Sequence, residues 1–323
     1  MGNIPEEAST LPQWRDTFDA ILHEVNTSSA SDARSYFRTY FSEPAAVSLP
    51  FCDAFGPFLN IAQLKLRDST SNNYDVLDTL MHKQLESALV KWLSYCTAQA
   101  LQAEFHLFRG VHGISAQSPS GKTQNDACYQ AFIEHLLSAG FVEFFDKYKV
   151  LARLTSIVVD SWVLAMGDFI DRLAADWNEI GRTFLPQGSE LGAVTALEPY
   201  LSDRHHYGQT VIGVTFSSGI KVYYKPRRLG IDHAFADFLN WFNEQEPSYP
   251  LRGLTIIERT GYGWVESAET VSMESETEAH SFYRRVGKLL CIMHALQGTD
   301  FHFENIVANG EHPILVDIET ICH

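Results

Sequence analysis

Basic residues are scarce in this chain. Over 323 residues, 24 Lys and Arg stand against 40 Asp and Glu, a formal net charge of −16. That balance excludes a broad binding face for nucleic acid or an anionic membrane, while leaving room for a local basic pocket. Cysteine is sparse and unpatterned: Cys52, Cys96, Cys128, Cys291 and Cys322 form no Cys-x-x-Cys pair. An odd, dispersed set predicts reduced thiols packed as small apolar residues in a cytosolic protein. The start, M-G-N-I-P-E-E-A-S-T, has no basic stretch leading into an apolar core, and Glu6 stands where a myristoylation signal needs Ser or Thr. Long apolar runs are missing too. The most apolar window, Ile157 to Ile170, is interrupted by Asp160 and Asp168 and is too short to span a bilayer. These absences predict a soluble, cytoplasmic protein with no nucleic-acid partner and no membrane span.

What is present is a core: 45% of the residues are hydrophobic, ample for one large domain or two. Residues 1 to 185 read as helical. After Leu11-Pro12, the residues Trp14, Phe18, Ile21, Leu22 and Val25 recur at helical spacing. A second helix is predicted from Leu77 through Phe108, with a stripe of Leu77, Leu80, Met81, Leu85, Ala88, Leu89, Trp92 and Leu93. A third runs from Tyr148 through Leu151, Leu154, Ile157, Val158, Trp162, Val163 and Met166 to Leu173. Such stripes are core faces. Val111 to Asn125, rich in Gly, Ser and Gln, is expected to be a loop. Gly121-Lys122-Thr123 within it lacks the upstream glycine of a phosphate loop, since position 116 is Ala, and no strand leads into it.

The pattern changes after Leu185-Pro186-Gln187-Gly188. Thr210–Thr215 and Ile220–Tyr224 are β-prone runs about Ser217-Ser218-Gly219, a hairpin signal. The second run delivers Lys225, and Pro226 ends it by withholding a donor. Lys225, Arg227 and Arg228 are either a phosphate-binding cation cluster or a basic strand end facing solvent. A helix from Leu229 to Phe242 follows, then strands at Leu254–Glu258 and Tyr262–Glu266. Ser275-Glu276-Thr277-Glu278 resembles a capping box opening a long helix, which Gln297-Gly298 stops.

The stretch from Asp300 to Glu319 carries the chemistry. Ile306-Val307-Ala308 and Ile314-Leu315-Val316 flank Asn309-Gly310-Glu311, and read as a hairpin that sets Asn305 beside Asp317. An amide oxygen and a carboxylate converging there suit Mg²⁺, and Asp300 upstream is placed to accept a hydroxyl proton. The same residues also read as loop polar groups and solvated strand caps. The order of parts favours chemistry: lysine hairpin, helix, strands, long helix, Asp-x-His-x-x-Asn loop, hairpin, acidic pair. That is the order of a kinase. The fold class expected is α+β, with a helix-rich region at 1–185 and a core built on antiparallel hairpins at 186–323.

Four segments carry a closer likeness: Y-Y-K-P-R-R-L at 223–229, G-Y-G-W-V-E at 261–266, G-T-D-F-H-F-E-N at 298–305 and G-E-H-P-I-L-V-D-I-E-T at 310–320. They resemble the dehydratase domain of LanM-type class II lanthipeptide synthetases, most specifically from about residue 197 onward. The resemblance implies a lipid-kinase-like core wrapped by helices. It also implies ATP- and Mg²⁺-dependent phosphorylation of Ser and Thr in a ribosomal precursor peptide, followed by phosphate elimination to dehydroamino acids. By motif, Lys225 is the phosphate-contacting lysine, Asp300 the catalytic aspartate and His302 the loop histidine. Asn305 and Asp317 are the metal ligands, Glu319 is their acidic neighbour, and Arg227 is a phosphate contact.

In that family the elimination residues and a zinc-bearing cyclase domain lie beyond the point where this chain stops. The chain is therefore expected to be a fragment, a truncated product or one piece of a split enzyme. Cys322 and His323, adjacent at the terminus without further partners, are not expected to hold zinc. Two other functions stay open on the residues: a non-catalytic module that binds a precursor peptide, and a kinase-like enzyme acting on another hydroxyl substrate.

Overall fold

The computed structural model describes residues 14–27, 49–70, 72–111, 121–299 and 301–321. The architecture is α+β. The chain divides into two compact units, one formed by residues up to Ala174 with Arg204–Gln209, the other by Ala175–Asp203 and Thr210 onward.

The first unit is helical: α1 (Trp14–Thr27), α2 (Gly56–Thr70), α3 (Thr79–Val111), α4 (Gly121–His135), α5 (Phe141–Lys147) and most of α6 (Lys149–Phe184). Its core is rich in phenyl rings. Phe58 meets Phe141 edge-on at 5.4 Å between centroids, and Phe18 meets Phe145 at 5.5 Å. This tilted geometry matches the charge distribution of aromatic faces and edges. Helix α1 buries Thr17, Ile21 and Val25, the face its spacing predicts.

The reading of this unit is corrected at four points. Residues 112–120 of the expected loop lie outside the described residues, but Gly121 onward is helical rather than loop. Helix α2 was not anticipated, because its Gly56-Pro57 start reads as a turn although proline suits a first helical turn. The stripes were drawn too wide. Leu80 is 59% exposed, and Leu154 and Ile157 are exposed at 38% each, while Lys83 and Glu86 are buried on α3. Helix α6 is also longer than the apolar window read from the sequence. By length and composition it is long enough to cross a membrane, yet 67% of its most apolar window is buried inside the protein, as in a core helix.

The second unit begins with the end of α6 and carries a five-stranded antiparallel sheet in the order β1-β2-β3-β5-β4. Its strands are β1 (Val194–Glu198), β2 (Ile212–Phe216), β3 (Lys221–Lys225), β4 (Ile256–Arg259) and β5 (Tyr262–Glu266). The β2–β3 hairpin and the β4–β5 pair fall where the sequence places them, whereas β1, an edge strand with a register shift between Val194 and Ala196, is an addition. Helix α7 (Gly230–Gln245) follows β3, helix α8 (Glu276–Ala295) follows β5, and a separate hairpin joins β6 (Ile306–Asn309) to β7 (His312–Leu315). One apolar cluster ties these together: Phe235 and Leu239 of α7, Leu289, Ile292 and Met293 of α8, and Leu315 with Ile318 from the hairpin's exit. That shared core fixes the end of β7 against the start of α7.

Candidate functional site

Lys225 is the last residue of β3, paired with Gly263 on β5. A side chain at 263 would bring its Cβ within 2.4 Å of Leu229 Cδ1 and 2.5 Å of the Ile257 carbonyl oxygen, so only glycine lets the strands and Leu229 close here. The lysine is not a solvated strand end: it is 8% exposed, and its ammonium donates to the Val316 carbonyl at 3.0 Å. Asp232 Oδ1 lies 3.9 Å from the same ammonium. Burial, then the Arg227 charge, pushes the Lys225 pKa below its ordinary value, against the opposing pull of Asp232, Asp317 and Glu319.

Arg227, two residues beyond β3, gathers three carboxylates. Nη1 donates to Asp232 Oδ2 at 2.7 Å and Nη2 to Asp232 Oδ1 at 3.1 Å, a two-pronged pairing. Nη2 also reaches Asp317 Oδ1 at 3.4 Å, and Nε lies 3.2 Å from Glu319 Oε2. Burial alone lowers the arginine pKa, but the hydrogen bonds and charge of Asp232, with Glu319 and Asp317, raise it overall. The guanidinium therefore stays charged. Arg228 is exposed and takes no part in this cluster by its side chain; its carbonyl accepts from Arg227 Nη1.

The hairpin brings the downstream residues to the same place. Ile306 pairs with Leu315, and the Val316 N–H donates to the Asn305 carbonyl at 3.1 Å, so Asn305 and Val316 face each other with Asp317 one residue on. Gly310, with φ of +55°, supplies the left-handed turn conformation. His302 opens the 3₁₀ turn Phe303–Asn305: its Nδ1 accepts from the Glu304 N–H at 3.3 Å and its carbonyl accepts from the Asn305 N–H at 3.0 Å. Asp300, Cys322 and His323 lie outside the described residues.

Four of the residues predicted from sequence thus converge directly: Lys225, Arg227, Asp317 and Glu319. Asn305 is set beside them by strand pairing, and His302 shapes the turn leading to it. Asp232 was missed. It sits in the first turn of α7 at 5% exposure, and nothing in the sequence sets it apart from an ordinary first-turn acid. Among the described residues no three His, Cys, Asp or Glu side chains form a ready metal cage. The oxygen donors here are the Asp317 and Glu319 carboxylates, about half-exposed, and strand pairing sets the Asn305 backbone beside Val316, one residue before Asp317. So few protein oxygens suit Mg²⁺, which keeps most of its waters. Three carboxylates also face two cations, leaving one negative charge in surplus.

Residues 148–323 match the family model described as "Domain of unknown function (DUF4135)". The match takes in more than half of the chain, and the protein belongs to that family. Over 204 residues the chain is 28% identical to the lacticin 481/lactococcin biosynthesis protein LcnDR2 of Lactococcus lactis subsp. lactis. The aligned part is 60% of this chain and 22% of that relative, so the chain spans about a fifth of the length of the curated protein it matches. These findings bear out the likeness to LanM-type class II lanthipeptide synthetases read from the sequence.

Proposed function

We propose that residues 186–323 are the nucleotide-binding part of a kinase-like lanthipeptide dehydratase, with residues 1–185 as its helical N-terminal region. The protein works in the cytoplasm on a ribosomal precursor peptide. A Ser or Thr hydroxyl oxygen attacks the γ-phosphorus of ATP, ADP leaves, and the proton passes to Asp300. Elimination then removes the Cα proton, breaks the Cβ–O bond and releases phosphate, leaving a dehydroamino acid.

The observation that carries the reading is the position of Lys225. A buried ammonium held 3.0 Å from the Val316 carbonyl stands next to Asp317, which came from 92 positions downstream in sequence, as the seam between a phosphate lysine and a metal hairpin requires. Phosphoryl transfer asks the protein mainly for positioning and charge neutralisation. Lys225 supplies a point charge for phosphate oxygens, and Arg227 supplies a planar fork. Magnesium, when held by Asn305, Asp317 and Glu319, supplies further charge neutralisation on the triphosphate. His302, through its bond from Glu304, keeps the turn that presents Asn305.

Incubation of the complete gene product with ATP, Mg²⁺ and a precursor peptide encoded beside it tests this by mass spectrometry. Products lighter by water at Ser or Thr are expected, with phosphorylated peptide as intermediate, and Asp300→Asn is expected to abolish both. Normal dehydration by that variant, or no Mg²⁺-dependent ATP binding by calorimetry, overturns the reading.

A further inference from the structure

We propose that Asp232 is a positioning residue that anchors Arg227 by its Nη1–Nη2 edge, leaving the adjoining Nε–Nη2 edge of the guanidinium to exchange partners when a polyphosphate binds. This rests on the nucleotide reading above and adds to it a division of labour among the three carboxylates.

The division follows from burial and geometry. Asp232 is 5% exposed and takes both Nη atoms of Arg227, at 2.7 and 3.1 Å. Its place in the first turn of α7 lets the helix N-terminus stabilise the carboxylate. Paired in two prongs and shielded from water, it is the partner Arg227 gives up last. Asp317 and Glu319 are different. Their side chains are 46% and 53% exposed, and each meets Arg227 through a single longer contact, at 3.4 and 3.2 Å. Solvent competes for these contacts, so a triphosphate can replace them without disturbing the anchored edge.

The same carboxylate also sets the lysine. At 3.9 Å, Asp232 is near enough to hold the Lys225 ammonium electrostatically but is already committed to Arg227 by hydrogen bonds. Lys225 is thereby left to the Val316 carbonyl. Remove Asp232, and the freed guanidinium turns fully toward Asp317 and Glu319, the groups that the metal reading needs.

The test is a double-mutant cycle read by calorimetric binding of Mg²⁺-ATP to the full chain. Asp232→Asn and Arg227→Gln are each expected to weaken binding roughly ten- to hundredfold, the scale of a lost charge-assisted pair. Because Asp232 acts through Arg227, the double variant is expected to bind no more weakly than Arg227→Gln alone. Asp232→Glu, which keeps the charge, is expected to recover most of the loss. Unaltered binding by Asp232→Asn, or a full further loss on adding it to Arg227→Gln, overturns the positioning role while leaving the nucleotide reading intact. Absence of Mg²⁺-ATP binding by the unaltered chain overturns both. If Asp232→Asn does not fold, the neutral pair in the double variant against Arg227→Gln alone still decides.

Discussion

At the scale of single residues, Lys225 and Trp264 separate function from stability. Burial lowers the lysine pKa and offsets part of what its charge contributes to the fold. Lys225→Met keeps a long flexible side chain and loses the bond to Val316, a change of about 1 kcal/mol in unfolding free energy. Mg²⁺-ATP binding should meanwhile fall by two orders of magnitude or so, on the scale of a lost charged contact. Urea unfolding and calorimetry on one preparation check both halves, and a variant that unfolds but whose soluble fraction binds normally contradicts the assignment. Trp264 behaves the other way. Its indole Nε1 donates to Asp176 Oδ2 at 2.8 Å in a fully buried setting, and Arg259 Nε reaches the other oxygen at 3.0 Å. Trp264→Phe strands one oxygen of a buried carboxylate, and should cost about 1–3 kcal/mol without changing the site. Lys225 and Asp317 were legible from the order of the hairpins that carry them, whereas Arg227 and Glu319 were singled out by the likeness to the lanthipeptide synthetase dehydratases. Asp232 was not, since an acid in a helix's first turn is an ordinary answer to the helix dipole and nothing in the sequence marks this one as buried.

At the scale of elements, local chemistry and packing contributed unequally to what could be read. The capping box of α8 was visible: Ser275 Oγ accepts from the Glu278 N–H at 3.2 Å, and Glu278 Oε2 accepts from the Glu274 N–H at 2.8 Å, one residue before the cap itself. Ser275→Ala should cost about 1 kcal/mol, measured by chemical unfolding, since α8 carries Leu289, Ile292 and Met293 into the shared core. A loss well under half of that would mean that packing alone holds the start of the helix. Both predicted hairpins of the second unit were legible for the same reason, a short polar break with glycine between β-prone runs. Strand β1 was not, because Val-Thr-Ala-Leu-Glu has no alternation and its pairing partner lies elsewhere in the chain. The stripes of α3 and α6 gave the helices but misjudged their faces. A long helix that packs on several sides buries residues beyond one stripe, and Lys83 and Glu86 are the result.

At the scale of the whole molecule, that buried pair makes stability depend on pH in a direction opposite to the usual carboxylate. Lys83 Nζ lies 3.1 Å from each oxygen of Glu86, and Gln63 of α2 donates to the same carboxylate. Burial nevertheless outweighs the pairing, and pushes the Glu86 pKa from 4.5 up to about 7. The folded chain therefore holds a proton that the unfolded chain has released, across the interval between those two values. Its contribution is most favourable below the unfolded pKa and is lost as pH rises through the folded one. A net charge of −16 adds self-repulsion that also grows over this range as carboxylates ionise, so the pH dependence of the unaltered protein alone cannot assign the effect. The variant difference can. Glu86→Gln mimics the protonated acid, so it should lie nearest the unaltered chain at low pH, and its stability should not fall between pH 4.5 and 7 through this site. The unfolding free energy of the unaltered chain, minus that of Glu86→Gln, should therefore change by on the order of 1–3 kcal/mol between pH 5 and pH 7.5. A difference that stays flat across those two buffers would show that Glu86 is already ionised at pH 5, and that Lys83 and Gln63 offset its burial completely.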